Sequence, residues 1–344
     1  MNVGILGFAH GHVGAYCGQW KNNPQMGVSV VAGWDHDATR LADAAKNFGL
    51  TACASPRDVL ATEGLEAVVI AAETNRHAEL VELAAAAGKS IVLQKPMAIT
   101  IEDADRIVAA VEKHGVPFTM AWQMRVDPQN LKIKEMMDSG VLGRICMVRR
   151  RHGLATHAWG AGFETSWHVD PAANRDIWAD DSSHAIDFIY WLLGMPETVT
   201  AEIATLVNPK IPNDNGVAVF RYAGGPLAEV NCSFTCVAGE NTTEIVGEKG
   251  VIVQNFGDGP SANNPRPAGA IGLKWFMQDA GQWTVADVPE CANQGVRIGG
   301  LSAPLAEFLQ GRRPPIATAK EGRDVLQIVL ATYESSCTGR RVTL

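Results

Sequence analysis

Short hydrophobic runs alternate with amphipathic segments over residues 1–122 of the chain. Strands are predicted at residues 2–7, 28–34, 67–72, 90–93 and 117–122, and helices at residues 37–48, 76–87 and 101–114. A glycine follows each of these helices, where a left-handed residue commonly ends a helix. Strands that alternate with helices form βαβ units and a parallel sheet. The pattern therefore predicts a doubly wound nucleotide-binding domain over residues 1–122.

The pattern changes over residues 123–344, which we expect to form a second domain. Strand-like runs at residues 144–151, 198–207, 216–222, 227–237 and 242–253 follow one another with few helices between them. Gly250 interrupts the last run, which indicates a hairpin. Helices are predicted at residues 130–139, 181–193, 301–310 and 320–336. This part of the chain therefore predicts an α/β domain with a mostly antiparallel sheet.

Composition and charge narrow the possible classes of protein. Hydrophobic residues make up 47% and charged residues 19% of the 344 residues, which is typical of a folded globular protein. The net charge of −8 disfavours a nucleic-acid partner. No uncharged apolar run reaches the roughly 18 residues of a membrane helix, and no basic residue precedes Lys21 as a secretory signal requires. With seven cysteines that lack metal-type spacing, the sequence predicts a cytoplasmic protein in a reducing compartment.

A glycine-containing loop follows the first predicted strand and precedes a helical pattern, which is where a dinucleotide pyrophosphate meets helix amides. Aligning Gly-x-Gly-x-x-Gly on Gly7 places Ala9 second and His12 third. Taken alone, this degenerate match could be an ordinary turn, but its position in a βαβ unit favours a phosphate-binding loop. The candidate cofactor-binding residues here are Gly7, Phe8, Ala9, His10, Gly11 and His12.

Asp35 ends the second predicted strand, 28 residues after Gly7. A carboxylate at this position can accept both ribose hydroxyls and would repel a 2′-phosphate, so NAD is favoured over NADP. No arginine follows immediately to bind that phosphate, although Arg40 is close. Alternatively, Asp35 or Asp37 caps the next helix, and Asp37 is better placed to do so.

Six short motifs extend the picture over nearly the whole chain. They are Thr74-Asn75-Arg76-His77, Gln94-Lys95-Pro96 and the segments at residues 123–128, 180–187, 244–250 and 333–340. In this order they resemble the motifs of the glucose–fructose oxidoreductase and inositol dehydrogenase family (Gfo/Idh/MocA). The resemblance implies a Rossmann domain, a C-terminal α/β domain with a large open sheet, and a nicotinamide cofactor. It also implies a homodimer or homotetramer, since packing through the sheet face is common in the family.

The resemblance assigns residues as well as a fold. It implies Lys95, Asp180 and His184 as the catalytic set, and it adds cofactor contacts at Thr74, Asn75, His77, Gln94, Lys95 and Gln123.

The sequence departs from the family pattern in three places. Gln94 replaces a glutamate, Ala9 and His12 replace loop glycines, and residues 174–176 replace glycines before the Asp180 motif.

The three implied catalytic residues suit hydride transfer from a secondary alcohol, which needs a base for the hydroxyl proton and a positive group near the oxygen. Asp180 and His184 are spaced to share one helix face, so His184 can act as the base while Asp180 orients it or binds a hydroxyl. The Lys95 ammonium would polarise the substrate oxygen and lower the pKa of a nearby His184. Without the resemblance, a capping role for Asp180 or Asp181, an ordinary helix histidine and a solvated loop lysine would be the simpler interpretations.

The segment between residues 153 and 178 is rich in aromatic and polar side chains, as a polyol-binding wall requires. Arg175 could instead hold a carboxylate or phosphate of the substrate. The irregular spacing of the histidines and aspartates here gives no metal site. The candidate substrate-binding residues are Lys95, Arg125, His157, Trp167, His168, Arg175, Asp180 and His184.

Taken together, the sequence predicts an NAD-dependent oxidoreductase that acts on a sugar, cyclitol or related polyol. A redox-neutral enzyme with tightly bound NAD, which cleaves a glycoside or epimerises a sugar through a keto intermediate, is an alternative. An NAD-binding regulatory protein is a third possibility. The presence of Lys95, Asp180 and His184 argues against the regulator, because a sensor needs none of their chemistry.

Overall fold

Residues 1–156, 162–237, 241–255 and 268–344 are described by the computed structural model of the chain. They fall into two units, which are treated separately below. The first unit consists of Met1–Gln123, Ala172–Asn174 and Ile298–Leu326, and the second of Met124–Pro171, Arg175–Arg297 and Gln327–Leu344.

The helices and strands are numbered in chain order. The helices are α1 (His12–Asn22), α2 (Ala38–Phe48), α3 (Pro56–Leu60), α4 (His77–Ala86), α5 (Ile101–His114), α6 (Pro128–Asp138), α7 (Ser183–Leu193), α8 (Gln294–Gly299), α9 (Ser302–Leu309) and α10 (Ala319–Thr338). The strands are β1 (Asn2–Leu6), β2 (Ser29–Trp34), β3 (Thr51–Ala52), β4 (Leu65–Ile70), β5 (Ser90–Leu93), β6 (Phe118–Met120), β7 (Ile145–Gly153), β8 (Thr198–Ala204), β9 (Asn215–Arg221), β10 (Leu227–Ser233), β11 (Thr242–Gly247), β12 (Gly250–Asn255), β13 (Leu273–Met277), β14 (Gln282–Val285) and β15 (Val342–Thr343). Among these described elements, none is a helix with both the length and the low polarity that crossing a bilayer requires.

The sheet of the first unit has the strand order β3-β2-β1-β4-β5-β6. Its neighbouring strands pair in parallel. This order reverses between β1 and β4, as in a dinucleotide-binding fold, so the predicted doubly wound domain is confirmed. The two-residue strand β3 was absent from the prediction because both of its residues are exposed and form no hydrophobic run.

Helix capping in the first unit follows the sequence closely. The Asp37 carboxylate accepts hydrogen bonds from the amides of Thr39 (2.8 Å) and Arg40 (3.1 Å), so Asp37 caps α2 as expected. Gly49 and Gly115 end α2 and α5 in the left-handed conformation. Residues Ile298–Leu326, which belong to this unit although they lie near the end of the chain, pack against α1. Trp20 of α1 donates its indole N–H to the Ser302 carbonyl at 2.9 Å.

The sheet of the second unit has the order β14-β13-β12-β11-β7-β10-β9-β8-β15. Strands β7 and β10 pair in parallel, and the other neighbouring pairs are antiparallel, which confirms the predicted sheet type. The hairpin at Gly250 is confirmed by the antiparallel pairing of β11 with β12. Strand β14 was missed because all four of its residues are exposed, so no alternation of buried and exposed positions marks it.

The helix predicted at residues 181–193 begins differently from the expectation. A π-helical turn occupies Trp178–Ser182, and the regular helix α7 starts only at Ser183. Ser182 takes the N-cap position of α7, so neither Asp180 nor Asp181 is its capping residue. Single π-helical turns are frequent at functional sites because they change which side chains share a face.

Gly7 follows β1 directly and lies against Ala72, two residues beyond the end of β4. Its φ is +89°, and a Cβ added there would lie 2.4 Å from the Cα of Ala72. Its amide donates to the Trp34 carbonyl at 2.7 Å, which ties the end of β1 to the end of β2. Only glycine combines that backbone conformation with such a close approach.

Replacing Gly7 by alanine is expected to destabilise the protein more than the same change at Gly49. At Gly49 only the left-handed φ of +76° opposes a side chain, because no described atom lies within 4 Å of the added Cβ, and the cost is about 1–2 kcal/mol. Gly7→Ala adds a backbone clash, so roughly 3 kcal/mol or more is expected. Urea unfolding of both variants measures the difference, and equal losses would contradict the close approach at Gly7.

Candidate active site

The predicted cofactor-binding residues of the first unit lie at one edge of its parallel sheet. Each follows the carboxyl end of a strand, and the carboxyl ends of parallel strands meet at the ligand-binding edge. The residues are Gly7 to His12 after β1, Asp35 after β2, Thr74 and Asn75 after β4, Gln94 and Lys95 after β5, and Gln123 after β6.

Two observations test whether this edge fits a dinucleotide. Gly11, the N-cap residue of α1, has no capping side chain, and a Cβ added there would meet no described atom within 4 Å. The N-terminus of a helix that follows the first strand of such a sheet attracts a phosphate group. Gln94 is fully buried and donates its Nε2 hydrogen to Tyr16 Oη at 2.6 Å, but its Oε1 has no hydrogen-bond partner among the described residues. A buried acceptor without a donor suits a ligand hydroxyl, so the edge fits the cofactor.

Asp35 and Glu73 hold Arg40 between them. Arg40 donates to both carboxylate oxygens of Asp35, from Nε at 3.2 Å and from Nη2 at 2.8 Å, and Nη2 also donates to Glu73 Oε1 at 2.8 Å. Burial alone would lower the pKa of the Arg40 guanidinium, but the hydrogen bonds to the two carboxylates outweigh it and raise that pKa. We refer to these three residues as the arginine clamp.

His77 is fully buried, and its ring nitrogens lie 3.2 Å from the Met97 carbonyl and 3.1 Å from the Ala72 carbonyl. Burial lowers the pKa of this imidazole. The ring therefore joins the loop after β4 to the segment that follows Lys95. Lys95 itself is 3% exposed and forms a cis peptide bond with Pro96. Thr74 Oγ1 donates to Asn174 Oδ1 at 2.5 Å, which attaches the short segment 172–174 to this edge.

In the second unit, the π-helical turn presents two carboxylates to three histidines. The Asp180 Oδ2 atom lies 2.9 Å from Nδ1 of His168. Asp181 Oδ1 lies 3.6 Å from Nε2 of His184, and its Oδ2 lies 3.6 Å from Nε2 of His152. Burial lowers the pKa of the His152 imidazole, although Asp181 acts in the opposite direction. The π-helical turn therefore gathers two carboxylates and three imidazoles, and burial disfavours the charged form of the His152 ring.

Trp178 anchors the π-helical turn. Its indole N–H donates to Thr332 Oγ1 at 2.9 Å. Strand β9 makes room for the ring at Gly216, where a Cβ would lie 2.5 Å from the indole. Asp176 supports the same turn by accepting hydrogen bonds from the Ala179 amide at 3.0 Å and from the Tyr333 hydroxyl. Burial raises the pKa of Asp176, although these hydrogen bonds oppose the shift.

The other predicted substrate residues have varied settings. Arg125 is buried in an ion pair with Asp187, with Nη2 2.8 Å from Oδ1 and Nε 3.1 Å from Oδ2, so its guanidinium is engaged inside the unit. Trp167 stacks on His168 with ring centroids 3.9 Å apart. Arg175 has a left-handed φ of +84°, and its guanidinium carbon lies 5.2 Å from the centre of the Tyr333 ring. His157 lies outside the described residues.

Three residues of these sites were missing from the sequence-based candidates. Glu73 stands directly before the Thr74-Asn75 motif, and its carboxylate at a strand end was the available signal. Asp181 is adjacent to a predicted catalytic residue and was considered only as a cap. His152 ends a strand with no motif to mark it. Among the described residues, no three His, Cys, Asp or Glu side chains are arranged to hold a metal ion.

Comparisons with known proteins match both halves of the chain. The family model described as an oxidoreductase family with an NAD-binding Rossmann fold matches residues 1–122, and the GFO/IDH/MocA C-terminal domain model matches residues 130–253. Inositol 2-dehydrogenase 2 of Saccharopolyspora erythraea is 30% identical over 73% of this chain and 72% of its own length. D-apiose dehydrogenase of Paraburkholderia graminis is 25% identical over 99% of this chain and 88% of its own length.

Among solved structures, the WlbA dehydrogenase from Bordetella pertussis, in complex with NADH and UDP-GlcNAcA, has the same fold. The TM-score is 0.80 at 24% identity, and the match covers 100% of this chain and 98% of that protein. The predicted Rossmann domain and its NAD cofactor are thus confirmed by the family match, and the predicted α/β fold class by the fold match.

The buried ion pair of Arg125 supports a prediction about stability. Arg125→Met removes the cation that faces the buried Asp187 carboxylate, which is expected to cost about 3–5 kcal/mol. The double variant Arg125→Met/Asp187→Leu removes both charges and is expected to recover more than half of that loss. Free energies of unfolding in urea measure all three proteins.

Arg106, which forms two ion pairs on the surface, provides the control. Arg106→Met breaks the exposed pairs with Glu82 (2.8 Å) and Asp103 (2.7 Å) and should cost at most about 1 kcal/mol. Equal losses in Arg106→Met and Arg125→Met would contradict the buried setting of the Arg125 pair.

Proposed function

Because the chain belongs to the Gfo/Idh/MocA family of NAD-binding oxidoreductases, we propose that it transfers a hydride between a sugar, cyclitol or related polyol and the nicotinamide of NAD. The substrate group is a secondary alcohol or the matching ketone. The named relatives, an inositol dehydrogenase and an apiose dehydrogenase, support this substrate class. The observation that carries the proposal is the edge where Gly11, Asp35, Gln94 and Lys95 meet at strand ends of the NAD-binding unit.

In the proposed reaction, residues of this chain handle the proton and the charge. NAD, when bound, supplies the hydride acceptor. His184 takes the hydroxyl proton, and Asp181 favours the imidazolium that forms because its Oδ1 lies 3.6 Å from His184 Nε2. The Lys95 ammonium stabilises the negative charge that develops on the substrate oxygen.

We also propose roles for the aromatic and acidic residues of the second unit. Asp180, which lies 2.9 Å from Nδ1 of His168, accepts a hydrogen bond from a substrate hydroxyl. Trp167, stacked on the same histidine, offers an apolar face to the C–H groups of a sugar ring. NAD is proposed to be preferred over NADP because Asp35 would repel a 2′-phosphate.

Removing the Lys95 ammonium is expected to abolish most of the turnover while leaving the cofactor bound. Lys95→Met should lower kcat by about 100-fold or more, since the charge on the substrate oxygen loses its stabilising cation. The measurement is the absorbance of reduced nicotinamide during incubation with NAD and a panel of sugars, inositols and sugar acids. Binding of NADH, followed by fluorescence, should change little.

Lys113→Met removes an exposed lysine of α5 and serves as the matched control. Equal turnover in Lys95→Met and the parent protein would overturn the role of Lys95. Conversion of a sugar without net NADH would instead support the redox-neutral alternative. Binding of NADH with no conversion of any panel substrate would favour the regulatory protein.

We further propose that the protein is a homodimer or homotetramer that packs through the open face of the second sheet. Large apolar side chains stand exposed on this face at Met147, Val217, Val219 and Leu227. The strand registers place them on one side of β7, β9 and β10. Exposed apolar patches commonly mark protein interfaces.

A charge placed on this face is expected to split the oligomer. Val219→Lys introduces a cation that packing would bury, so light scattering should report a smaller species than for the parent. Val296→Lys, at an exposed valine of α8, is the control and should leave the mass unchanged. An unchanged mass for Val219→Lys would show that this face is not the interface.

A further inference from the structure

Asp35 has no hydrogen-bonding capacity to spare in this structure. Its side chain is fully buried, and a carboxylate offers about four acceptor positions. Oδ2 accepts from the Phe8 amide (2.6 Å) and Arg40 Nε (3.2 Å). Oδ1 accepts from the Asp37 amide (2.8 Å) and Arg40 Nη2 (2.8 Å). A ribose hydroxyl can therefore reach Asp35 only by displacing Arg40, since the two backbone amides are fixed by the fold.

Glu73 is the residue that can keep Arg40 when Asp35 releases it. It follows β4 and is 7% exposed, and its Oε1 already accepts a hydrogen bond from Arg40 Nη2 at 2.8 Å. Its other oxygen, Oε2, makes no hydrogen bond among the described residues and can take a second one from the guanidinium. His36 Nδ1 lies 3.6 Å and the Arg76 guanidinium Nε lies 3.9 Å from Oε2, both beyond hydrogen-bond distance.

We propose that Glu73 is a determinant of coenzyme choice, because it holds Arg40 away from a 2′-phosphate and so leaves Asp35 to the ribose of NAD. The inference rests on the proposed function only in taking NAD as the cofactor. In this proposal, Arg40 is the cation that would bind the 2′-phosphate in an NADP enzyme. Glu73 is the group that holds this cation away from the phosphate.

Electrostatics points in the same direction. With Arg40 between Asp35 and Glu73, the arginine clamp carries one net negative charge. A 2′-phosphate brings between one and two further negative charges near neutral pH, so the two carboxylates oppose it, and Arg76, with Nε 3.9 Å from Glu73 Oε2, offsets only part of that repulsion. Without the Glu73 carboxylate the clamp is neutral, and Arg40 has one charged partner instead of two. The guanidinium can then turn to the phosphate, for which its planar donors are well suited.

The test compares the binding of NADH and NADPH and needs no turnover. Glu73→Gln keeps the shape of the side chain and removes its charge. Fluorescence titration should show weaker binding of NADH and tighter binding of NADPH, so that the ratio of their Kd values moves toward NADPH by about tenfold or more. Glu63→Gln removes an exposed glutamate of the same unit and should leave both Kd values unchanged.

A second substitution isolates Arg40. In the Glu73→Gln background, Arg40→Met should return NADPH to the weak binding of the parent, because the phosphate loses its cation. Arg40→Met alone should still bind NADH, since Asp35 then has acceptor positions for the ribose. If it fails to bind NADH although its melting temperature matches the parent's, displacement of Arg40 is not what admits the ribose, and the proposal is wrong.

Two further results would overturn the proposal. One is a Glu73→Gln variant that changes both Kd values by the same factor. The other is a gain in NADPH binding that persists after Arg40→Met. Failure of the proposed dehydrogenase activity is separate, because a protein that binds NADH and converts no sugar would leave this inference standing.

Discussion

The close approach of Gly7 to Ala72 is the constraint on which the dinucleotide-binding edge depends. A left-handed residue without a side chain lets the chain turn out of β1 directly against the end of β4. The next residues then find fixed partners, since the Phe8 amide donates to Asp35 and the His10 amide donates to the Ala71 carbonyl at 2.9 Å. One conformation therefore sets the ends of β1, β2 and β4 together. It also starts α1 at the sheet edge where a dinucleotide pyrophosphate binds in Rossmann folds.

The second unit is organised by buried charges rather than by one close backbone contact. Arg125 pairs with Asp187, and Arg297 pairs with Asp127 at 3.0 Å, with these side chains at most 2% exposed. Such pairs add little net stability, because desolvation offsets their attraction, but a wrong arrangement leaves a charge unpaired and is costly. Asp127 has a second role, since its carboxylate also caps α6 by accepting a hydrogen bond from the Gln129 amide at 3.0 Å. The two pairs therefore link the segment before α6 to α7, which follows the π-helical turn, and to α8.

Sequence reasoning succeeded where one local rule decides the outcome. Hydrophobic runs marked the inner strands of the first sheet, Asp37 was recognisable as a cap, and Gly250 marked a hairpin. It failed where a side chain's partner depends on backbone geometry. On a regular helix both Asp180 and Asp181 are neighbours of His184, four and three residues before it, and the structure brings Asp181 Oδ1 to 3.6 Å from His184 Nε2. The His168 contact of Asp180 comes from a loop without periodicity, so no pattern could have indicated it.

The neutral residue at position 94 shows how one departure from a family motif changes local chemistry. A carboxylate buried at this position would need strong compensation, and the described neighbour is a single hydroxyl, Tyr16. The amide of Gln94 divides the task, because its nitrogen bonds Tyr16 and its oxygen is left to accept from a ligand. It also places no negative charge beside Lys95. In the proposed reaction, the Lys95 ammonium would therefore stabilise a developing alkoxide without a competing anion from the adjacent residue, since a neighbouring carboxylate would offset part of its charge.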